Sequence, residues 1–200
     1  MTSLELKTER LCVLGLGYVG LPTAAIFANN GFNVVGVDVN ETLISDIKSG
    51  AAPNDPGLSA LVQNCLKTGN LVLSEVPVDA DVFIIAVPTP LHVDKASEPM
   101  KRECPKADLT ALVAAAKSVV PYVRPGNMVV LESTVPPKTT VDVLLPIFRD
   151  SGLAEDLDMV FCAERVLPGQ ILKELVNNDR IVGGLNSSSA ARAKKLYSSF

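Results

Sequence analysis

The stretch Val13-Leu14-Gly15-Leu16-Gly17-Tyr18-Val19-Gly20 decides the fold. It sets three glycines in a G-x-G-x-x-G pattern directly behind an apolar run that begins at Arg10. Each glycine has its own task in such a turn. Gly15 permits a tight passage from strand to helix. Gly17 lacks a Cβ, so the backbone can approach a pyrophosphate closely. Gly20 lets the helix lie against the sheet. The anion then meets the unpaired N–H groups at the helix start. Residues 15–20, with Leu16, Tyr18 and Val19 between the glycines, therefore read as a dinucleotide-binding turn.

Outward from this turn, apolar runs alternate with segments of helical period. Strands are expected at residues 10–14, 33–38, 71–73, 81–87, 127–132, 158–162 and 180–182. Helices are expected at residues 18–30, 41–49, 57–67, 108–120, 138–149 and 170–175. One more helix is expected behind the Asn186-Ser187-Ser188-Ser189 caps, running to Phe200. Pro22 is tolerable only in a first helical turn, and Gly31 suits a helix C-terminus. Alternation of this kind argues for an α/β, Rossmann-like, doubly wound and mainly parallel sheet with helices on both faces. Val82-Phe83-Ile84-Ile85-Ala86-Val87 is apolar throughout, as in a strand covered on both sides. The segment 88–107 is a long loop rich in Pro, Lys and Glu, a length that is often functional. The last helix has no following element to pack on. The expectation is one domain, residues 1–200, that forms the N-terminal part of a longer enzyme.

Composition narrows the class. Hydrophobic residues make up 48% of the 200, enough for a substantial core. The formal net charge of −4 offers no basic surface for nucleic acid. One histidine, His92, excludes a multi-histidine metal site, and no metal is expected. The cysteines, Cys12, Cys65, Cys104 and Cys162, are widely spaced without a C-x-x-C pair. They read as reduced thiols, with Cys12 and Cys162 in the core. Residues 1–9 lack the apolar stretch of a signal peptide, and no run reaches the length of a membrane span. A cytoplasmic protein without a membrane partner is expected.

Four further strand ends carry candidate chemistry. Asp38 closes the second strand, 18 residues after Gly20. A carboxylate there accepts hydrogen bonds from an adenosine ribose and repels a 2′-phosphate, which selects NAD over NADP. Val87-Pro88-Thr89-Pro90 and Glu132-Ser133-Thr134-Val135-Pro136 bring Thr89 and Thr134 to the edge where doubly wound folds bind ligands. Equally, such threonines serve simply as turn residues before proline. At Glu164-Arg165-Val166-Leu167-Pro168-Gly169 a carboxylate and a guanidinium leave an apolar strand. Glu164 suits a base and Arg165 an anion binder, or the two form a surface ion pair.

These motifs together resemble the UDP-glucose/GDP-mannose dehydrogenase family over residues 10–200. The strongest likeness lies in Glu164–Gly169, Ile171-Leu172-Lys173-Glu174-Leu175 and Asn178-Asp179-Arg180-Ile181-Val182-Gly183-Gly184. That stretch is similar to the branch acting on UDP-N-acetylhexosamines. The resemblance implies oxidation of a UDP-sugar C6 alcohol to a carboxylate with two NAD⁺, through a cysteine-bound thioester. UDP-N-acetyl-D-mannosamine is the implied substrate ahead of UDP-N-acetylglucosamine and UDP-glucose. It further implies that Gly15–Gly20, Asp38, Val87, Pro88, Thr89 and Thr134 hold NAD. Thr134 and Glu164 would act on the catalytic water, and Glu164, Arg165 and Val166 would face the sugar nucleotide. Ala163 stands where many relatives have proline, and Pro168 where UDP-glucose dehydrogenases have a second glutamate. The family's nucleophilic cysteine lies in a later segment that none of the four cysteines matches. The longer protein is expected to be a homodimer or higher homo-oligomer. A β-hydroxyacid dehydrogenase shares the glycine turn but lacks residues 164–169. A nucleotide-sensing module would need no chemistry at Thr134 and Glu164.

Overall fold

A computed structural model describes residues 8–51, 56–92, 106–167 and 169–200. Cys104, Pro168 and most of the long loop after Pro88 lie outside the described residues. Strands β1 (Arg10–Leu14), β2 (Asn33–Val37), β3 (Leu71–Ser74), β4 (Val82–Ile85), β7 (Met128–Leu131), β8 (Asp158–Phe161) and β9 (Gly183–Gly184) form one sheet. Its order is β3-β2-β1-β4-β7-β8-β9, parallel except for β9. β5 (Leu91–His92) and β6 (Lys106–Ala107) pair antiparallel at the base of the long loop.

Helix α1 (Gly20–Asn29) follows β1, and its first nine residues are all buried. A helix that is apolar all round belongs inside. It packs against β2, α3 (Leu58–Thr68) and α6 (Ile171–Asn177). Helix α2 (Glu41–Ser49) is capped by the Asn40 side chain, which accepts from the Leu43 N–H at 3.1 Å. Helix α4 (Thr110–Val119) and helix α5 (Leu145–Asp150) cover the opposite face. Helix α7 (Ser187–Tyr197) returns to the α1 side, with Asn186 as its cap. Alternate residues of β1 divide the core. Leu11 and Val13 join the α1 side, whereas Cys12 and Leu14 join the α4 side.

Three expectations change. The segment after Lys138 begins as a π-helix (Thr140–Leu144) before α5. Pro146 carries no N–H, so the Asp142 carbonyl has no i+4 donor, and a wider turn suits that position. Residues 180–182 are not a strand. The final strand is β9, paired antiparallel with β8. Ile181 is 73% exposed, while Arg180 turns inward to the buried charges described below. Cys65 is buried along with Cys12 and Cys162, and all three are free thiols.

Phe27 of α1 ties the two ends of the chain together. Its ring meets Phe32 at 5.4 Å, Tyr197 at 5.7 Å and Phe200 at 4.9 Å. At the N-terminal ends of the strands, Arg192 of α7 donates to Glu9 Oε1 at 2.7 Å and Asp158 Oδ2 at 2.9 Å. Phe27→Ala should cost about 3–5 kcal/mol, because the transfer and cavity terms add. Urea denaturation measures this; a loss below about 1 kcal/mol would show that the aromatic cluster is not what holds α7.

Candidate functional site

The register of the parallel strands builds the site. Leu14 pairs with Val37 and Ile85, Ile85 with Leu131, and Leu131 with Phe161. Five strands therefore end on one line. Residues that leave this line gather along the carboxyl edge, where doubly wound sheets bind ligands. They include the turn at Gly15, Asp38, Thr89, Thr134 and Glu164.

The glycine turn is tightly made. Gly15 has φ +89, and its N–H donates to Val37 O at 2.8 Å. A Cβ on Gly20 would lie 1.8 Å from the Gly15 carbonyl oxygen, so helix and turn touch through bare backbone. A Cβ on Gly17 would meet nothing within 4 Å. Glycine there leaves open space above the turn, which is what an approaching pyrophosphate requires. The first turn of α1 has neither an acidic residue nor a side-chain cap. It keeps its positive end for an anion. Asp38 is fastened to this turn: its Oδ2 accepts from the Leu16 N–H at 2.8 Å and its Oδ1 from the Asn40 N–H at 2.9 Å. Each oxygen retains a lone pair for a ribose hydroxyl. These features fit a dinucleotide.

Thr89 and Thr134 come together. The Thr89 hydroxyl donates to the Thr134 carbonyl at 2.5 Å, joining the loops after β4 and β7. Beside them the Ser133 hydroxyl donates to Val87 O at 2.7 Å. Val87, directly before Pro88, is thereby joined to the loop after β7. A cavity of about 420 Å³ lies farther along the edge, lined by Val135, Pro136, Thr139, Val141, Phe161 and Leu185 among others. Neither the glycine turn nor Asp38 lines it, so it is separate from the dinucleotide turn.

Glu164 and Arg165 part company. The Glu164 side chain is 4% exposed and pairs with Arg180, which corrects the reading of a surface pair with Arg165. Arg165 points outward and donates to Asp179 O at 2.8 Å, while Val166 is half-buried. Arg180 Nη1 also donates to Glu132 Oε1 at 3.4 Å, and the guanidinium stacks 4.6 Å from the Tyr197 ring. The Tyr197 hydroxyl donates to Glu132 Oε1 at 3.3 Å. Sequence reasoning passed over Glu132, Arg180 and Tyr197 as site residues. The available signal was an acidic residue directly after the apolar run Met128–Leu131. Burial pushes the Glu132 carboxyl from 4.5 up to about 7, against the pull of Arg180. Burial raises Glu164 as well, again opposed by Arg180. Burial pushes the Cys12 and Cys162 thiols up to about 11, so neither is a ready thiolate.

A carboxyl whose folded pKa is raised favours the folded state below its unfolded value, and that advantage disappears as pH rises through the folded value. For Glu132 the window runs from about 4.5 to about 7. The stability lost across it should be smaller in Glu132→Gln than in the parent. Equal pH slopes in denaturant titrations would refute a buried, titrating Glu132.

The chain matches the UDP-glucose/GDP-mannose dehydrogenase family, NAD binding domain, over residues 9–200. It is 43% identical over 199 residues to a UDP-N-acetyl-D-mannosamine dehydrogenase of Methanococcus aeolicus, covering 99% of this chain and 43% of that protein. The native structure of the Staphylococcus aureus UDP-N-acetyl-mannosamine dehydrogenase Cap5O superposes with a TM-score of 0.86 at 40% identity. That match covers 96% of this chain and 45% of the other. A ternary complex of GDP-mannose dehydrogenase from Pseudomonas aeruginosa gives a TM-score of 0.82 at 28% identity, over 94% of this chain and 44% of that one. The chain thus spans less than half the length of these relatives. With the glycine turn, the sheet order and the match in agreement, the chain belongs to the UDP-glucose/GDP-mannose dehydrogenase family and carries its NAD-binding domain.

Proposed function

We propose that this chain is the NAD-binding part of a longer UDP-sugar 6-dehydrogenase that oxidises the C6 alcohol of UDP-N-acetyl-D-mannosamine to the uronate. The observation that carries the reading is the single line of strand ends, which puts the glycine turn, the Thr89–Thr134 contact and Glu164 on one edge of the sheet. The choice of sugar is supported by relatives at 39–45% identity that bear that activity in their names. Overall, one alcohol, one water and two NAD⁺ give one carboxylate, two NADH and three protons. NAD⁺ held at the Gly15–Gly20 turn would supply the hydride acceptor for each oxidation.

The residues of this chain divide the remaining work. Backbone N–H groups of the turn from Gly17 to Gly20, including those of Tyr18 and Val19, hold the pyrophosphate, while the Leu16 N–H fastens Asp38 to the Gly15 turn. Asp38 takes the ribose. Val87, Pro88 and Thr89 line the cofactor crevice, and Thr134 positions the nicotinamide end and the water. In thioester hydrolysis Glu164 accepts a proton as the water oxygen bonds to the carbonyl carbon. The C–S bond then breaks and the cysteine thiolate leaves. Arg165 and Val166 border the sugar nucleotide. The nucleophilic cysteine is assigned to the rest of the longer protein: Cys12, Cys65 and Cys162 are buried, and Cys104, outside the described residues, does not match the family's cysteine motif. We assign that protein to the cytoplasm, as a homodimer or higher homo-oligomer. Among the described residues no helix is long and apolar enough to cross a membrane.

Calorimetry on this chain should show NAD⁺ binding more tightly than NADP⁺. Asp38→Asn should weaken NAD⁺ by roughly tenfold, the worth of one charge-assisted hydrogen bond. Tighter binding of NADP⁺ to the parent would sink the role of Asp38. In the full-length enzyme Glu164→Gln should slow thioester hydrolysis by about 10²-fold or more, with a smaller effect on the first hydride transfer. Rapid-quench separation of the two steps decides the matter, and equal slowing argues against Glu164 as the base.

A further inference from the structure

Glu132 and Arg180 stand outside the roles just assigned, yet they are buried against Glu164. The Glu132 side chain is 0% exposed, and Arg180 is 11% exposed between it and Glu164. One guanidinium nitrogen, Nη1, serves both carboxylates. With all three groups ionised, the cluster carries one uncompensated negative charge. The other groups facing it are the Tyr197 hydroxyl from α7, the Cys162 thiol at the end of β8 and the Thr23 hydroxyl from α1. The exposed Arg165 adds a weaker attraction to Glu164. Glu132 Oε2 is buried and has no donor within hydrogen-bonding geometry among the described residues, although the Thr23 hydroxyl lies near the carboxyl and weakly favours its charged form. A buried carboxylate oxygen without a donor favours the protonated form.

We propose that Glu132 and Arg180 are positioning residues for Glu164, the charge on Glu132 deciding how much of the single Arg180 guanidinium Glu164 receives. When Glu132 holds a proton, Arg180 belongs to Glu164, which stays ionised and fixed in place. When Glu132 loses that proton, the guanidinium is divided and Glu164 becomes the stronger proton acceptor. The two carboxylates then titrate as a pair and not as two independent acids. The proposal rests on the hydrolytic role given to Glu164 above.

The test uses the full-length enzyme with Glu132→Gln, which keeps the shape and removes the charge. The acidic limb of the pH–rate profile for thioester hydrolysis belongs to Glu164 with Glu132 still protonated, and the parent profile should carry a second inflection near pH 7, where Glu132 ionises. Glu132→Gln should leave the acidic limb in place and abolish that inflection. The Glu164 resonance, followed in ¹³C-glutamate spectra and assigned with Glu164→Gln, should show a second, smaller displacement at the same pH in the parent and none in Glu132→Gln. Tyr197→Phe keeps the ring under Arg180 and removes one donor to the Glu132 carboxylate. It should move the inflection and the second displacement to higher pH, and it covers the case in which Glu132→Gln does not fold. A purely structural role would lower the rate and leave the shape of both profiles unchanged. A Glu164 resonance with no second displacement in the parent overturns the coupling, whatever the rate does. A second displacement without an inflection in rate supports the coupling and instead overturns Glu164 as the hydrolytic base.

Discussion

Parallel pairing in register is the constraint on which the rest of this molecule depends. Leu14, Val37, Ile85, Leu131 and Phe161 end their strands side by side. Loops from five different strands therefore emerge at one height, and residues far apart in sequence meet there without any one loop reaching for another. A slip of one residue in β7 would exchange its two faces, sending the buried Val130 and its neighbours to the opposite side of the sheet. The site is therefore only as well placed as the hydrophobic packing that fixes the register.

Much of this is legible in the sequence alone. The glycine turn, Asp38 and the alternation of runs rest on short-range rules, and such rules survive in a single sequence. β1 and α2 have the bounds that sequence reading gives, because caps and apolar runs mark them locally. Residues 180–182 misled for a different reason. Ile181 and Val182 give the apolar signal of a strand, but the orientation of that segment is set by where Arg180 finds its partners. A tertiary ion pair outweighs a three-residue propensity. The same cause hid the buried cluster: Glu132, Arg180 and Tyr197 are far apart in sequence, and only the packing of α7 on the sheet gathers them. The inward turn of Glu164 was equally out of reach, since Arg165 beside it offered a nearer cation on paper.

Burying two carboxylates with one guanidinium is an expensive arrangement for stability alone. Each ion gives up hydration, and an apolar cluster of equal volume often serves a fold as well or better. The aromatic faces of Tyr197 and Phe200 over Arg180 offset part of that loss, at 4.6 and 5.4 Å from the guanidinium carbon. Retaining charge at the edge to which the chemistry is assigned is therefore better understood through the proposed site than through the core.

The Arg192 bridge ties the chain into one cooperative unit. Arg192 and Glu9 are 183 residues apart. Loop closure over that span gives no return until the intervening strands are already paired. Docking of α7 therefore belongs to the late part of folding, and until then Phe27 lacks two of its three ring neighbours. A nascent chain would expose that apolar face of α1 during synthesis. The same link means that local fraying at β1 and loosening of α7 are one event, so that hydrogen exchange at the two should report a common opening.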